Sequence, residues 1–196
     1  MQTRKDKRAK TEQLTLMALL TALVAVLSYL GGFIQIGGIA SVNLSLIPVV
    51  VGATIFGPAS GAWLGLVSAL GVLLAPATAV FFEVTILGTV VVVIIKGVLS
   101  GFCAGLAYKL IEKLNRYVAV VVSSIVCPVV NTGIYIIGCF LFFADTVSEW
   151  ASAKGSSFVA YLFLSMVGLN FVFELLANIL LSPSVYSLLN IRKKTK

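Results

Sequence analysis

The sequence predicts an all-α fold, a bundle of six transmembrane helices with both termini in the cytoplasm. Three observations predict it. The 196 residues are 60% hydrophobic and 11% charged, where a soluble domain carries about 25% charged residues. The hydrophobic residues fall into long runs broken by Gly, Pro and short polar stretches. The Lys and Arg residues gather at places that one side of a membrane would share. At about 20 residues per crossing plus connections, the length holds about six crossings and no separate soluble domain. Residues 1–196 therefore read as one integral membrane domain, and the high hydrophobicity excludes disorder.

A basic segment, residues 1–13 with Arg4, Lys5, Lys7, Arg8 and Lys10, precedes the first hydrophobic run at 14–30. A cleavable signal peptide would be followed by a polar mature chain. Here hydrophobicity continues to the end, so the run is a retained helix. Gly31 and Gly32 end it, and residues 33–42 form a loop. The second helix is expected at 43–56, closed by Gly57-Pro58, and the third at 60–75, closed by Pro76. Each has about 15 residues and at 1.5 Å per residue barely crosses a layer of about 30 Å. They are expected to pack inside the bundle or lie beside thinned lipid. A short loop at 76–83 carries Phe81, Phe82 and Glu83. The fourth helix, 84–106, runs into a basic segment at 109–116, and the fifth covers 118–143. A polar stretch at 145–157 leads to the sixth, 158–180. Pro183 and a further apolar turn precede the basic tail at 191–196.

Parity tests this count. Placing both basic ends in the cytoplasm needs an even number of crossings, and six puts the 109–116 segment there too. Twelve of the 14 Lys and Arg residues then lie inside. The outer loops hold Lys154 against Glu83, Asp145 and Glu149. The net charge of +7 is thus a topology signal and not a nucleic-acid surface. There is no His, which excludes His-based triads, metal sites and pH switches. Cys103, Cys127 and Cys139 lie in hydrophobic runs without a CxxC and read as packing residues. No GxxxxGK[ST], GxSxG or HExxH occurs, so no P-loop ATPase and no hydrolase is expected. No cofactor is expected in this chain. No internal repeat is visible, which weighs against an inverted-repeat carrier.

Two ionisable residues lie in hydrophobic runs, Lys96 in VVVVIIKGVLSG and Glu174 in LNFVFELLAN. A charge at membrane depth costs several kcal/mol, about 3 on insertion scales, and usually faces a bundle interior or cavity. Asn170, Glu174 and Asn178 are spaced i, i+4, i+8 and share one helix face. Asn131 follows Pro128, and Tyr135 lies one turn further on. Lys96 and Glu174 can form a buried ion pair with the Asn residues as interhelical glue, or line a ligand cavity with Asn131, Tyr135, Asn170 and Asn178. Gln35, Asn43, Phe81, Phe82 and Trp150 are either interfacial anchors or a lid over an outward-facing site. Ala18, Ala22 and Ala25 form a strip of small residues that a second helix can approach closely.

The run NLSLIPVVVGATIFGPASGAWLGLV at 43–67 resembles the substrate-binding (S) components of energy-coupling factor (ECF) vitamin transporters. So do KGVLSGFCAGLAYK at 96–109 and the AxxxA at Ala18 and Ala22. The resemblance covers nearly the whole chain. It implies a vitamin-binding subunit in a prokaryotic cell membrane that takes ligand near the outer face. It further implies docking through the first helix, at Ala18, Ala22 and Ala25, onto a transmembrane coupling protein driven by two ATPase subunits, which use the ATP. Ligand is then released inside by toppling of the S component, with the 33–42 loop as gate.

Several ligands fit. Lys96 suits a carboxylate, and Glu174 with Asn170 suits hydroxyl or amide groups, which together match pantothenate. The same subgroup resembles hydroxymethylpyrimidine, pyridoxine and riboflavin carriers, for which Tyr135, Phe82 and Trp150 would supply stacking. A stand-alone secondary carrier is the alternative class. A membrane enzyme is disfavoured by the missing catalytic constellation.

Overall fold

The structure, a computed structural model, describes residues 2–33 and 43–194, with side chains at 10–33 and 43–190. Gln35 and the rest of 34–42 lie outside the described residues. So do the side chains of Arg4, Lys5, Lys7 and Arg8 and of the basic tail. Every regular element among the described residues is helical. The first helix, α1, runs Gln2–Gly31, so the basic N-terminal segment continues the hydrophobic run as helix. The short helix α2 is Leu46–Phe56 and α3 is Pro58–Leu73. A 3₁₀ turn, Pro76–Thr78, and α4, Ala79–Val84, follow. The two long central helices are α5, Ile86–Ile111, and α6, Arg116–Phe142. Beyond them lie α7, Ala144–Ala153, and the single turn α8, Phe158–Ala160. A π-helical stretch, Tyr161–Gly168, then leads into α9, Leu169–Lys194.

Four of these helices are long and apolar enough to cross a membrane, at 10–31, 86–111, 116–142 and 158–190. The segment 58–84 supplies a fifth if α3 and α4, bent by 75° at Pro76, count as one. The remaining hydrophobic segment, α2, has 11 residues, about 16 Å of helix, half of a hydrocarbon layer of about 30 Å. It packs against α1, α3, α5, α6 and α9. Its Leu46, Val49, Val50 and Ala53 are buried. Packed on five neighbours, a helix this short has little of its own length to match to the hydrocarbon layer.

Around α2 the long helices follow one another in the order α1, α3, α5, α6, α9. The tightest seam joins α3 to α5. A Cβ on Gly65 would lie 2.0 Å from the Gly97 carbonyl oxygen, and one on Gly101 would lie 2.0 Å from that of Gly61. Glycine at these positions lets the two backbones touch, the usual way for helices to gain van der Waals contact in lipid. The α2–α3 turn needs the other property of glycine. Gly57 has φ +96°, a conformation open to residues without Cβ, and Pro58 opens α3 at its first position.

Two stretches expected as loops are partly helical. The loop at 76–83 holds the 3₁₀ turn and most of α4, with Thr78 Oγ1 donating to the Val72 carbonyl at 2.6 Å. Thr89 Oγ1 reaches back to the Phe81 carbonyl at 2.8 Å, tying α4 to α5. The polar stretch at 145–157 folds as α7 because Val147 and Ala151, four apart, give one buried stripe. Asp145 lies in its first turn, where a negative charge favours the helix dipole. Helix α6 is continuous through the buried Pro128, which leaves the Ser124 carbonyl without its helical donor. Pro183 likewise lies inside α9.

Candidate functional site

Three of the long helices, α5, α6 and α9, bring polar side chains to one cavity. Lys96 lies ten residues into α5. Asn131 and Tyr135, one turn apart, project from α6, and Asn170 and Glu174, also one turn apart, from α9. All five line the same cavity, together with Asn43 ahead of α2. The remaining wall is apolar and aromatic, with Val72 of α3, Phe81 of α4, Phe143, Met166 and Phe171. Space for the centres of water-sized molecules is about 80 Å³, several times the roughly 10–15 Å³ that one water needs. From Lys96, α5 continues 13 residues to Lys109, about 20 Å along the axis. The cavity therefore lies toward the end of the bundle that carries α4 and α7, away from the basic 109–116 segment.

Local structure fixes each wall. Phe81 makes T-shaped contacts with Tyr135, Phe143 and Trp150, with ring centroids 6.1, 5.2 and 6.1 Å apart. Trp150 thus supports the cavity wall from behind and is not in the lining. Phe82, its neighbour in sequence, is half-buried and also outside the lining. The aromatic lining residue on α4 is Phe81. Met166 and Val167, in the π-helical stretch, line the cavity just ahead of Asn170. Asn170 Nδ2 donates to the Met166 carbonyl at 3.3 Å. A π-helical segment of this kind frequently marks a functional site.

Charge and hydrogen bonding divide the polar groups. Glu174 is buried, and its Oε1 accepts the Asn43 backbone N–H at 2.8 Å. Asn178, the third residue of the predicted polar face, is buried one turn deeper and donates to the Glu174 carbonyl at 2.8 Å. It supports the helix and stays outside the cavity lining. Lys96 Nζ lies 5.2 Å from the centre of the Tyr135 ring, a cation–π contact. Lys96 and Glu174 make no direct ion pair among the described residues. The Tyr135 hydroxyl is buried with no hydrogen-bond partner among the described residues. The cavity thus offers an ammonium without a carboxylate partner, a buried hydroxyl and several amides, inside an aromatic wall. That set fits a small anionic molecule carrying hydroxyl or amide groups.

Sequence reasoning brought together Lys96, Asn131, Tyr135, Asn170, Glu174 and Asn43, all of which line the cavity. It missed Phe171, Thr89 and Met166, and it offered Phe81 only together with Phe82 as part of a lid. Phe171 lies three positions before Glu174, and helical spacing would have found it. Thr89 and Phe81 depend on the bend between α3 and α4, for which no sequence signal distinguishes Phe81 from Phe82. Ala18 and Ala22 are exposed on α1, and Ala25 is half-buried beside α3.

A family model described as "ECF transporter, substrate-specific component" matches residues 12–189, most of the chain. No curated protein and no solved structure matches.

Proposed function

The chain belongs to the family of ECF transporter substrate-specific components, vitamin-binding importer subunits that work with the coupling and ATPase subunits of an ECF module, and from that premise we propose that its ligand is pantothenate. The observation that carries the choice is Lys96. An ammonium in the cavity without a carboxylate partner is costly, and a ligand carboxylate relieves that cost. Asn131, Tyr135 and Asn170 then face the hydroxyls and amide of the ligand, and the aromatic wall takes its methyl groups. The Lys96 contact with Tyr135 and the three edge contacts of Phe81 engage the rings that a flat heterocycle would stack on. Hydroxymethylpyrimidine, pyridoxine and riboflavin therefore fit less well.

The same reading places the chain in a prokaryotic cell membrane with six crossings, α2 counted among them, and both termini inside. Ligand enters from the end carrying α4 and α7. Ala18, Ala22 and Ala25 meet the coupling protein, and toppling driven by the partner ATPases releases ligand inside. The chain itself holds no ATP.

Binding to the purified chain tests the choice. Lys96→Ala is expected to weaken pantothenate by about 100-fold or more, the loss of a charge-assisted contact. Binding of pantothenol, which has an alcohol in place of the carboxylate, should change by less than about threefold. Equal losses for both ligands, or tight binding of a flat uncharged vitamin instead, would overturn it. Ligand flux in proteoliposomes without partner subunits would point to a stand-alone carrier.

A further inference from the structure

Of the charged groups in the cavity, Glu174 has the more demanding internal attachment. Its Oε1 accepts the backbone N–H of Asn43, a residue 131 positions away in the chain, at 2.8 Å. The bond does not stand alone. Asn43 Oδ1 accepts from Ser45 Oγ at 2.6 Å, and the Ser45 and Ser68 hydroxyls share a bond of 2.6 Å. Asn43 Nδ2 also donates to Ser68 Oγ at 3.4 Å. Glu174, Ser45 and Ser68 are all buried. One polar chain therefore links α9, the residues leading into α2, and α3 across the inside of the bundle. Neither Ser45 nor Ser68 is in the cavity lining, so this chain runs behind the site.

Residues 34–42 lead directly into Asn43, and Asn43 itself lines the cavity. Whatever holds Asn43 therefore fixes the wall of the cavity ahead of α2. Glu174 is the group on α9 that does so, and it also lines the cavity on that side. We propose that Glu174 is a positioning residue, whose carboxylate, through the Asn43–Ser45–Ser68 chain, anchors Asn43, the lining residue ahead of α2, to α9 and α3 at the ligand cavity. The assignment rests on the cavity being the ligand site but not on which vitamin fills it.

Backbone hydrogen exchange of the ligand-free full chain in lipid nanodiscs tests this, resolved to the Asn43 amide. Glu174→Ala is expected to raise its exchange rate about tenfold or more, since the amide loses its acceptor. Glu174→Gln keeps an oxygen that accepts the same N–H and should stay within about threefold of the parent. Ser68→Ala, outside the cavity lining, should raise the rate about threefold by loosening the far end of the chain. Similar rates in the Ala and Gln variants overturn the proposal. If both are raised, charge and not the acceptor matters. If both match the parent, Asn43 is held by something else. Where Glu174→Ala does not fold, the other two decide. A Gln variant raised about tenfold, or a Ser68→Ala variant at the parent rate, is then the overturning result. No ligand is present, so failure of the pantothenate reading leaves this outcome unaffected.

Discussion

At the scale of single residues, the site combines groups that are satisfied in the empty protein with groups that are not. Glu174, Asn43 and Asn178 have partners, while the Tyr135 hydroxyl has none among the described residues. An unpaired buried hydroxyl lowers stability by about 1–3 kcal/mol. Tyr135→Phe is therefore expected to leave thermal stability of the ligand-free protein unchanged or raised by up to about 1 kcal/mol. Pantothenate affinity should fall about 5–10-fold, as one hydrogen bond is lost. A drop in ligand-free stability would show that the hydroxyl has a structural partner. The polar residues themselves were legible in the sequence, because Lys96, Asn131, Asn170 and Glu174 interrupt hydrophobic runs and little else explains them there. Their division of labour was not. Which carboxylate meets which N–H depends on where Asn43 falls relative to α9, a contact 131 positions apart in sequence. The face of Asn170, Glu174 and Asn178 was read correctly as a stripe, yet a stripe runs past a cavity as well as along it, and Asn178 lies beyond its edge.

At the scale of elements, the seam of α3 and α5 decides how rigid the cavity is. Gly65→Ala would place a Cβ about 2.0 Å from the Gly97 carbonyl oxygen, a separation no real contact tolerates, so the helices must part. The expected loss is about 1–3 kcal/mol, read as unfolding free energy in detergent mixtures. Gly133→Ala on α6 is the control. Nothing lies within 4 Å of the Cβ it would add, and the substitution in a helix interior should stabilise by about 0.4–1 kcal/mol. A gain at Gly65 equal to that at Gly133 would mean that helix propensity outweighs the seam. The long helices were legible because hydrophobic runs of 20 or so residues have few other uses. The short ones were not. Helix α7 hides in a polar stretch because only Val147 and Ala151 need burial, and α4 is six residues long, too few for periodicity to register. The π-helical stretch has no signature at all in a run that is hydrophobic throughout.

At the scale of the whole molecule, the outer surface carries the remaining information. Ala18 and Ala22 are exposed on α1 amid Leu14, Leu19 and Leu23, which are also exposed, and neither Ala18 nor Ala22 is part of the cavity. Replacing both by Trp is expected to leave ligand affinity within about twofold while abolishing co-purification with the coupling protein and uptake by the assembled importer. Lost ligand binding would assign the strip to the fold instead. Charge placement led to the expectation of six crossings, of which the structure shows, among the described residues, four long apolar helices, or five with the bent α3–α4 pair; the interior position of α2 was only partly legible, because its shortness is compatible with a place at the lipid boundary too. The glycine seam has one further consequence. Two backbones in contact cannot slide along each other without driving the next side chain into a carbonyl, so α3 and α5 act as a keel. A guest too large for the empty chamber has to be accommodated by the opposite planking, where α9 begins in a wider coil and a single carboxylate moors it to the neighbouring rim.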